Sequence, residues 1–241
     1  MPRTLVAIDA PLPRRWAWLW CGAHLTVGAL GPVALLLAQA PLRDDAATPL
    51  DATRFVAGLD AWLAVLLAGL ILLGVAQWLL LQRAFTGLRW WWVLLTVGAG
   101  IIGGGSVLSV AWVQDYGRSL GNDMALYAII FAIIGAAQGL DLRRAAPRAG
   151  WWIVASVLGD VALWLAYAAV AAVGPVGAAV VRAREVRPAV MLALAVQGGS
   201  GFLAYAAVMA LAIWYLKSRA AQRVGTPQRR FSLRRSGTQT R

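Results

Sequence analysis

The chain has one cysteine, Cys21, one histidine, His24, and one lysine, Lys217, and only ten acidic residues among 241. A lone cysteine excludes an internal disulfide and any cysteine-built zinc or iron–sulfur site. A lone histidine excludes bis-histidine haem and clustered-histidine metal sites. No Gly-rich loop carrying a lysine, no His/Glu metal spacing and no G-x-S-x-G elbow occur. Gly199-Ser200-Gly201 sits in an apolar run and has no plausible base, since His24 is the only histidine. The expectation is therefore a protein without a catalytic site.

What the chain has in excess is apolar sequence. Hydrophobic residues make up 61% and charged residues 13%, with a mean hydropathy of +0.69. Soluble domains are roughly half apolar and about a quarter charged. Six apolar runs stand out, over residues 16–40, 57–81, 90–113, 124–140, 151–174 and 189–216. Each is near the ~20 residues that an α-helix needs to cross a bilayer. The predicted fold is an all-α polytopic bundle of six transmembrane spans. Residues 1–15 precede it, 16–216 form it, and 217–241 make a basic tail expected to be disordered. Pro32 should kink the first span. Ala38-Gln39-Ala40 imitates a signal-peptidase site, but the long apolar run and Pro41 beyond it favour an uncleaved first span.

The net charge of +12 is carried almost wholly by arginine. Counting alternate sides of the six runs puts sixteen basic residues on the side holding both termini and six on the other, where they mix with aspartates. Positive loops stay cytoplasmic, so both termini are expected inside the bacterial inner membrane. The anionic partner is then the phospholipid headgroup and not nucleic acid. Ten of the 13 tryptophans, namely Trp16, Trp18, Trp20, Trp78, Trp90, Trp91, Trp92, Trp151, Trp152 and Trp214, fall at inner ends of the runs and read as an interfacial aromatic belt.

Sliding the chain on itself reveals a repeat at offset 61. Residues 74–98 and 135–159 share eleven identities without a gap, against about three expected from composition. Each copy holds a glycine (Gly74, Gly135), a glutamine (Gln77, Gln138), an arginine in the turn (Arg83, Arg144) and a Trp-Trp pair (Trp90-Trp91, Trp151-Trp152). The copies should be parallel two-helix repeats. The glutamines would bond a neighbouring helix or the turn, the arginines would meet headgroups and the tryptophan pairs would anchor the returning helices. The G-x-x-Q-x-x-x-L-x-R unit with Trp-Trp resembles hairpins of uncharacterised multi-pass bacterial membrane proteins. That resemblance implies a fold element and no activity.

Ionisable side chains at membrane depth cost at least ~3 kcal/mol and are functional candidates by default. Asp160 lies ~14 Å into the fifth run, where the first repeat has Ala99. Ser156, Asp160, Trp164 and Tyr167 share one helical stripe. His24, with Gly28 and Gly31 on its face, starts from the same side and reaches a similar depth. The two are expected to face each other, as a buried pair or as a proton relay. No cofactor is required, although His24 alone leaves room for one axial ligand. Gln197 is a further intramembrane polar candidate. Gly98, Gly100, Gly103 and Gly104 give the third run a side almost free of side chains, suited to close helix packing. The leading expectation is a non-catalytic subunit or scaffold of a membrane complex. The alternative is a small transporter or proton-coupled carrier using His24 and Asp160.

Overall fold

A computed structural model describes residues 12–39, 52–85, 87–113, 120–146, 148–173 and 188–224. These residues are all-helical, with no strand among them. The helices are α1 (Arg14–Gln39), α2 (Ala52–Leu81), α3 (Trp91–Val113), α4 (Leu120–Leu142), α5 (Gly150–Ala171) and α6 (Pro188–Val224). Within the described residues all six apolar runs are helical apart from Trp90 and residues 172–173, which lie in turns. A helix satisfies its own backbone, the only open-chain solution for a segment facing hydrocarbon. Among the described residues four helices are long and apolar enough to cross a membrane, on α1, α2, α5 and α6. The qualifying apolar parts of α3 and α4 are shorter, Trp91–Gly103 and Tyr127–Leu142. Helix α6 runs to Val224, so the first eight residues of the expected disordered tail are helical; 225–241 lie outside the described residues, as do 1–11 and the junction at 40–51.

The helices form a closed ring in chain order. Each packs on the helix before and after it, and α6 returns to α1. Glycine permits the closest approach in that closing seam. A β carbon added at Gly28 of α1 would lie 2.6 Å from the carbonyl oxygen of Gly198 in α6, and one at Gly198 would meet the Gly28 carbonyl and the Pro32 ring. Pro32 thus sits within α1 with its ring fitted into the notch left by a glycine.

The start of α1, the turns α2–α3 and α4–α5, and the far end of α6 share one end of the ring. Trp16 donates its indole N–H to the Leu80 carbonyl at 2.7 Å, the Arg89 amide donates to Asp141 at 3.3 Å, and Arg148 donates to the Tyr215 hydroxyl at 3.3 Å. Arg14, Arg15, Arg83, Arg89, Arg143, Arg144, Arg148 and Arg219 are all exposed there. Beneath them lies an apolar core built from Trp16, Trp20, Leu81, Phe85, Trp92, Leu142, Trp152, Met209 and Ile213.

The two turns are built alike. In each, two successive amides fold back on one leucine carbonyl, Ala84 and Phe85 on Leu81, and Ala145 and Ala146 on Leu142. Each turn then has one residue with positive φ, Gly87 (94°) and Arg148 (64°). Beyond that point the correspondence slips. The second turn is one residue shorter, so the returning helices match at offset 60. Trp92 corresponds to Trp152, both fully buried, and Trp91 to Trp151, 47% and 51% exposed. Trp90 has no counterpart.

Candidate functional site

The polar residues singled out from the sequence fall into two groups. The first is a buried hydrogen-bond network at the turn end of the ring, and its proton positions follow from its geometry. The Nδ1 of His24 lies 2.9 Å from the Trp20 carbonyl, which only accepts, so Nδ1 carries the proton. The remaining ring nitrogen, Nε2, accepts from the Nε2 of Gln77 at 3.1 Å. The Oε1 of Gln77 accepts from Gln138 at 3.1 Å and from the Trp92 indole at 3.4 Å. Gln138 gives its second amide hydrogen to the Thr96 hydroxyl at 2.8 Å and accepts from the Trp152 indole at 2.9 Å. Thr96 and Ser156 each return their hydroxyl hydrogen to the carbonyl one turn earlier, on Trp92 and Trp152. One direction of every bond is consistent with all the others.

This network follows the ring. Each odd helix carries a buried tryptophan four residues ahead of a polar side chain: Trp20 and His24, Trp92 and Thr96, Trp152 and Ser156. Each tryptophan donates back to the helix preceding it around the ring, Trp92 to Gln77 of α2, Trp152 to Gln138 of α4, and Trp20 to the Ala206 carbonyl of α6 at 3.0 Å. The two glutamines of the repeat bond each other across the centre, joining α2 to α4. The bonds of Gln77 to His24 and of Gln138 to Thr96 are neighbouring-helix bonds of the kind the sequence predicts, and the bond between the two glutamines is an addition to them.

Four expectations need correction here. Trp152 is not at a headgroup position: it is buried in the core, as are Trp16, Trp20 and Trp92 of the expected belt. Trp18, Trp90, Trp91, Trp151 and Trp214 are exposed and compatible with an interface. The reason is angular, because one turn of helix carries successive tryptophans through inward and outward directions. Arg83 and Arg144 are exposed, and Arg144 pairs at 3.4 Å with Asp141, a buried carboxylate that the sequence reading did not single out. Asp141 occupies the repeat position of Leu80, where charge was unexpected.

Second, His24 and Asp160 are not partners. Both nitrogens of His24 are engaged by Trp20 and Gln77, so an axial ligand would have to displace Gln77. Its other close neighbour is Tyr205, with ring centroids 5.8 Å apart, and Tyr205 also packs on Gly159 beside Asp160. Third, the counterpart of Asp160 at offset 60 is Gly100 and not Ala99. Fourth, Gly98 is not a packing glycine within this chain, since a β carbon there meets nothing within 4 Å, and the same holds at Gly31. Gly100 and Gly103 do meet neighbours, Leu70 at 2.7 Å and Ile130 at 3.0 Å. Gly104 lies in α3, outside the positions whose surroundings are described.

The second polar group lies on the seam of α5 and α6, deeper in the ring. Asp160 is 0% exposed, and neither carboxylate oxygen has a hydrogen-bond partner. The indole N–H of Trp164, one turn further along the same face, is the donor beside Asp160, but it too closes no hydrogen bond of good geometry. Gln197 of α6 donates to the Tyr167 carbonyl at 3.2 Å, while its own buried oxygen is unpaired. Asp60 of α2, by contrast, is exposed. Among the described residues no group of three His, Cys, Asp or Glu side chains is placed to hold a metal ion. No family model matches the chain, and no match was found among curated proteins or solved structures.

Proposed function

We propose that the protein is a six-span integral protein of the bacterial inner membrane, both termini cytoplasmic, acting as a non-catalytic subunit or scaffold. The exposed arginines gathered at one end of the ring support the orientation, because basic loops are retained on the cytoplasmic side. The parallel hairpins α2–α3 and α4–α5 are read as products of one duplication, their turns and Gln–Trp bonds being alike. The turn-end arginines and the basic tail then lie against anionic headgroups, each charge near the surface adding ~1 kcal/mol to attachment.

The observation that carries the scaffold reading is the saturation of the His24–Gln77–Gln138 network. A carrier opening to the cytoplasm would have to part these bonds at the centre of the ring, each worth ~0.6–1 kcal/mol in a membrane protein. A fixed ring, in contrast, suits a protein whose outer face is its working surface. Gly98 offers a notch on that face between exposed Leu94, Ile101 and Ile102, of the kind that admits a partner helix.

Extraction from the native membrane in mild detergent, with mass spectrometry of what copurifies, tests this reading. Stoichiometric membrane-protein partners are expected, lost on Gly98→Ile with the melting temperature of the isolated chain unchanged. A chain that copurifies with nothing argues for the carrier reading, which the unpaired Asp160 favours, and partners kept in Gly98→Ile overturn the Gly98 face as the docking surface.

A further inference from the structure

The fully engaged network and the unpaired seam pose different physical problems. A buried carboxyl with two orphan oxygens is costly, and native interiors rarely leave such a group without a partner or a ligand. Among the described residues, the unpartnered buried side-chain atoms are concentrated on this seam, at Asp160, Trp164 and Gln197, with the Trp78 indole the exception on α2. The helices run antiparallel here, with Gly159 against Tyr205, Leu163 against Gly201 and Tyr167 against Gln197. The orphan atoms therefore follow one line along the α5–α6 contact.

Aromatic rings flank that line. Trp164 lies 5.2 Å from Tyr127 of α4 and 5.5 Å from Tyr167, and Trp164 stands on the same helical stripe as Asp160, one turn away. Tyr127 is 43% exposed, so the aromatic group runs from an exposed position to the residues beside the buried carboxyl.

We propose that Asp160, with the ring faces of Trp164, Tyr167 and Tyr127, binds a lipophilic organic cation such as a protonated or quaternary amine. The carboxylate supplies the countercharge, and the rings supply the negative π faces that attract such cations, most strongly where water is excluded. A divalent metal is the poorer fit, because among the described residues Asp160 belongs to no group of three acidic, histidine or cysteine side chains placed to hold one. The indole N–H of Trp164 and the amide oxygen of Gln197 offer a donor and an acceptor to polar substituents on the same molecule. This site goes beyond the scaffold reading and does not depend on it, since binding is measured without a partner and without transport.

The test is equilibrium dialysis of tetraphenylphosphonium against the full-length protein in mild detergent. Tetraphenylborate, an anion of the same shape, serves as the control. Saturable binding of the phosphonium is expected, weakened at least about tenfold by Asp160→Asn, the loss of one charge partner. The exposed carboxylate variant Asp60→Asn should bind as the unaltered chain does, and tetraphenylborate should be indifferent to Asp160→Asn. Trp164→Leu, which removes a ring and no charge, should weaken binding several-fold and serves if Asp160→Asn does not fold. Absence of saturable binding, equal affinity in Asp160→Asn and Trp164→Leu, or equal binding of the borate would each overturn the proposal.

Discussion

The hairpins α2–α3 and α4–α5 share a turn, a glutamine on the descending helix, a buried tryptophan on the returning helix and a hydroxyl one turn beyond it. They differ in three places. The first glutamine reaches out to His24, whereas the second reaches in to its twin and to Thr96. The first turn has glycine at its positive-φ position, whereas the second has Arg148. Where α3 has Gly100 packed against Leu70, α5 has Asp160 with no partner. The shared features all lie within about three turns of the hairpin, and the charge difference lies deeper. The turn-proximal part of each unit is thus the common framework, and the deeper part of α5 is where this chain carries something of its own.

That comparison can be broken most directly at the glutamines. Gln138 makes three side-chain bonds, so Gln138→Leu strands the Trp152 indole and removes a donor from both Gln77 and Thr96. Buried donors and acceptors left unpaired cost about 1–3 kcal/mol each, and a loss of about 2–4 kcal/mol is expected in detergent unfolding experiments. The next largest contrast is between the equivalent glycines. A β carbon at Gly135 would lie 2.6 Å from the Ser156 hydroxyl and 3.2 Å from the Ile153 backbone, whereas at Gly74 the nearest atoms are at 3.4 Å. Gly135→Ala should therefore destabilise by about 1–3 kcal/mol through overpacking. Gly74→Ala should be neutral or slightly stabilising, from helix propensity. Equal melting temperatures for the two variants would show that the hairpins are not packed as described.

Smaller effects separate neighbouring tryptophans. Trp152→Phe leaves the Gln138 oxygen short of a donor and should cost about 1 kcal/mol. Trp151→Phe changes an exposed ring and should stay within about 0.5 kcal/mol in detergent melts. Effects of about 1 kcal/mol or less, opposite in sign, are expected at the two positive-φ residues. Arg148→Gly relieves a left-handed conformation worth about 1–2 kcal/mol for an ordinary residue, but gives up the bond to Tyr215. A net stabilisation below about 1 kcal/mol should follow, while Gly87→Ala should destabilise by about 1 kcal/mol when both are compared by thermal unfolding.

Much of this architecture was readable in the residue order. The expected runs 90–113 and 151–174 appear as Trp91–Val113 and Gly150–Ala171, because an uninterrupted apolar stretch leaves the backbone no better option than a helix. Gln77 and Gln138 stood out through the repeat, and Ser156 and Asp160 through shared spacing on one stripe. What escaped was direction and partner. Trp90, Trp91 and Trp92 are successive residues of one type, and only the rotation of α3, which brings Trp92 against Gln77 and Trp152, decides that Trp92 is the buried one. Asp141 and Thr96 were passed over because neither breaks a pattern until the turn and Gln138 are brought against them.

By itself, then, the sequence determined a helical chain with most of its arginines assigned to one end and its polar groups at defined heights along each helix. Both follow from local physics, hydrogen bonding within a helix and the 1.5 Å rise per residue. Only the tertiary structure decided that α6 closes on α1, that His24 pairs with Gln77, and that Asp160 is left alone. Those outcomes depend on the rotation of each helix about its axis. That rotation is set by glycine-sized gaps and by interhelical bonds between residues far apart in the chain, which no single segment contains.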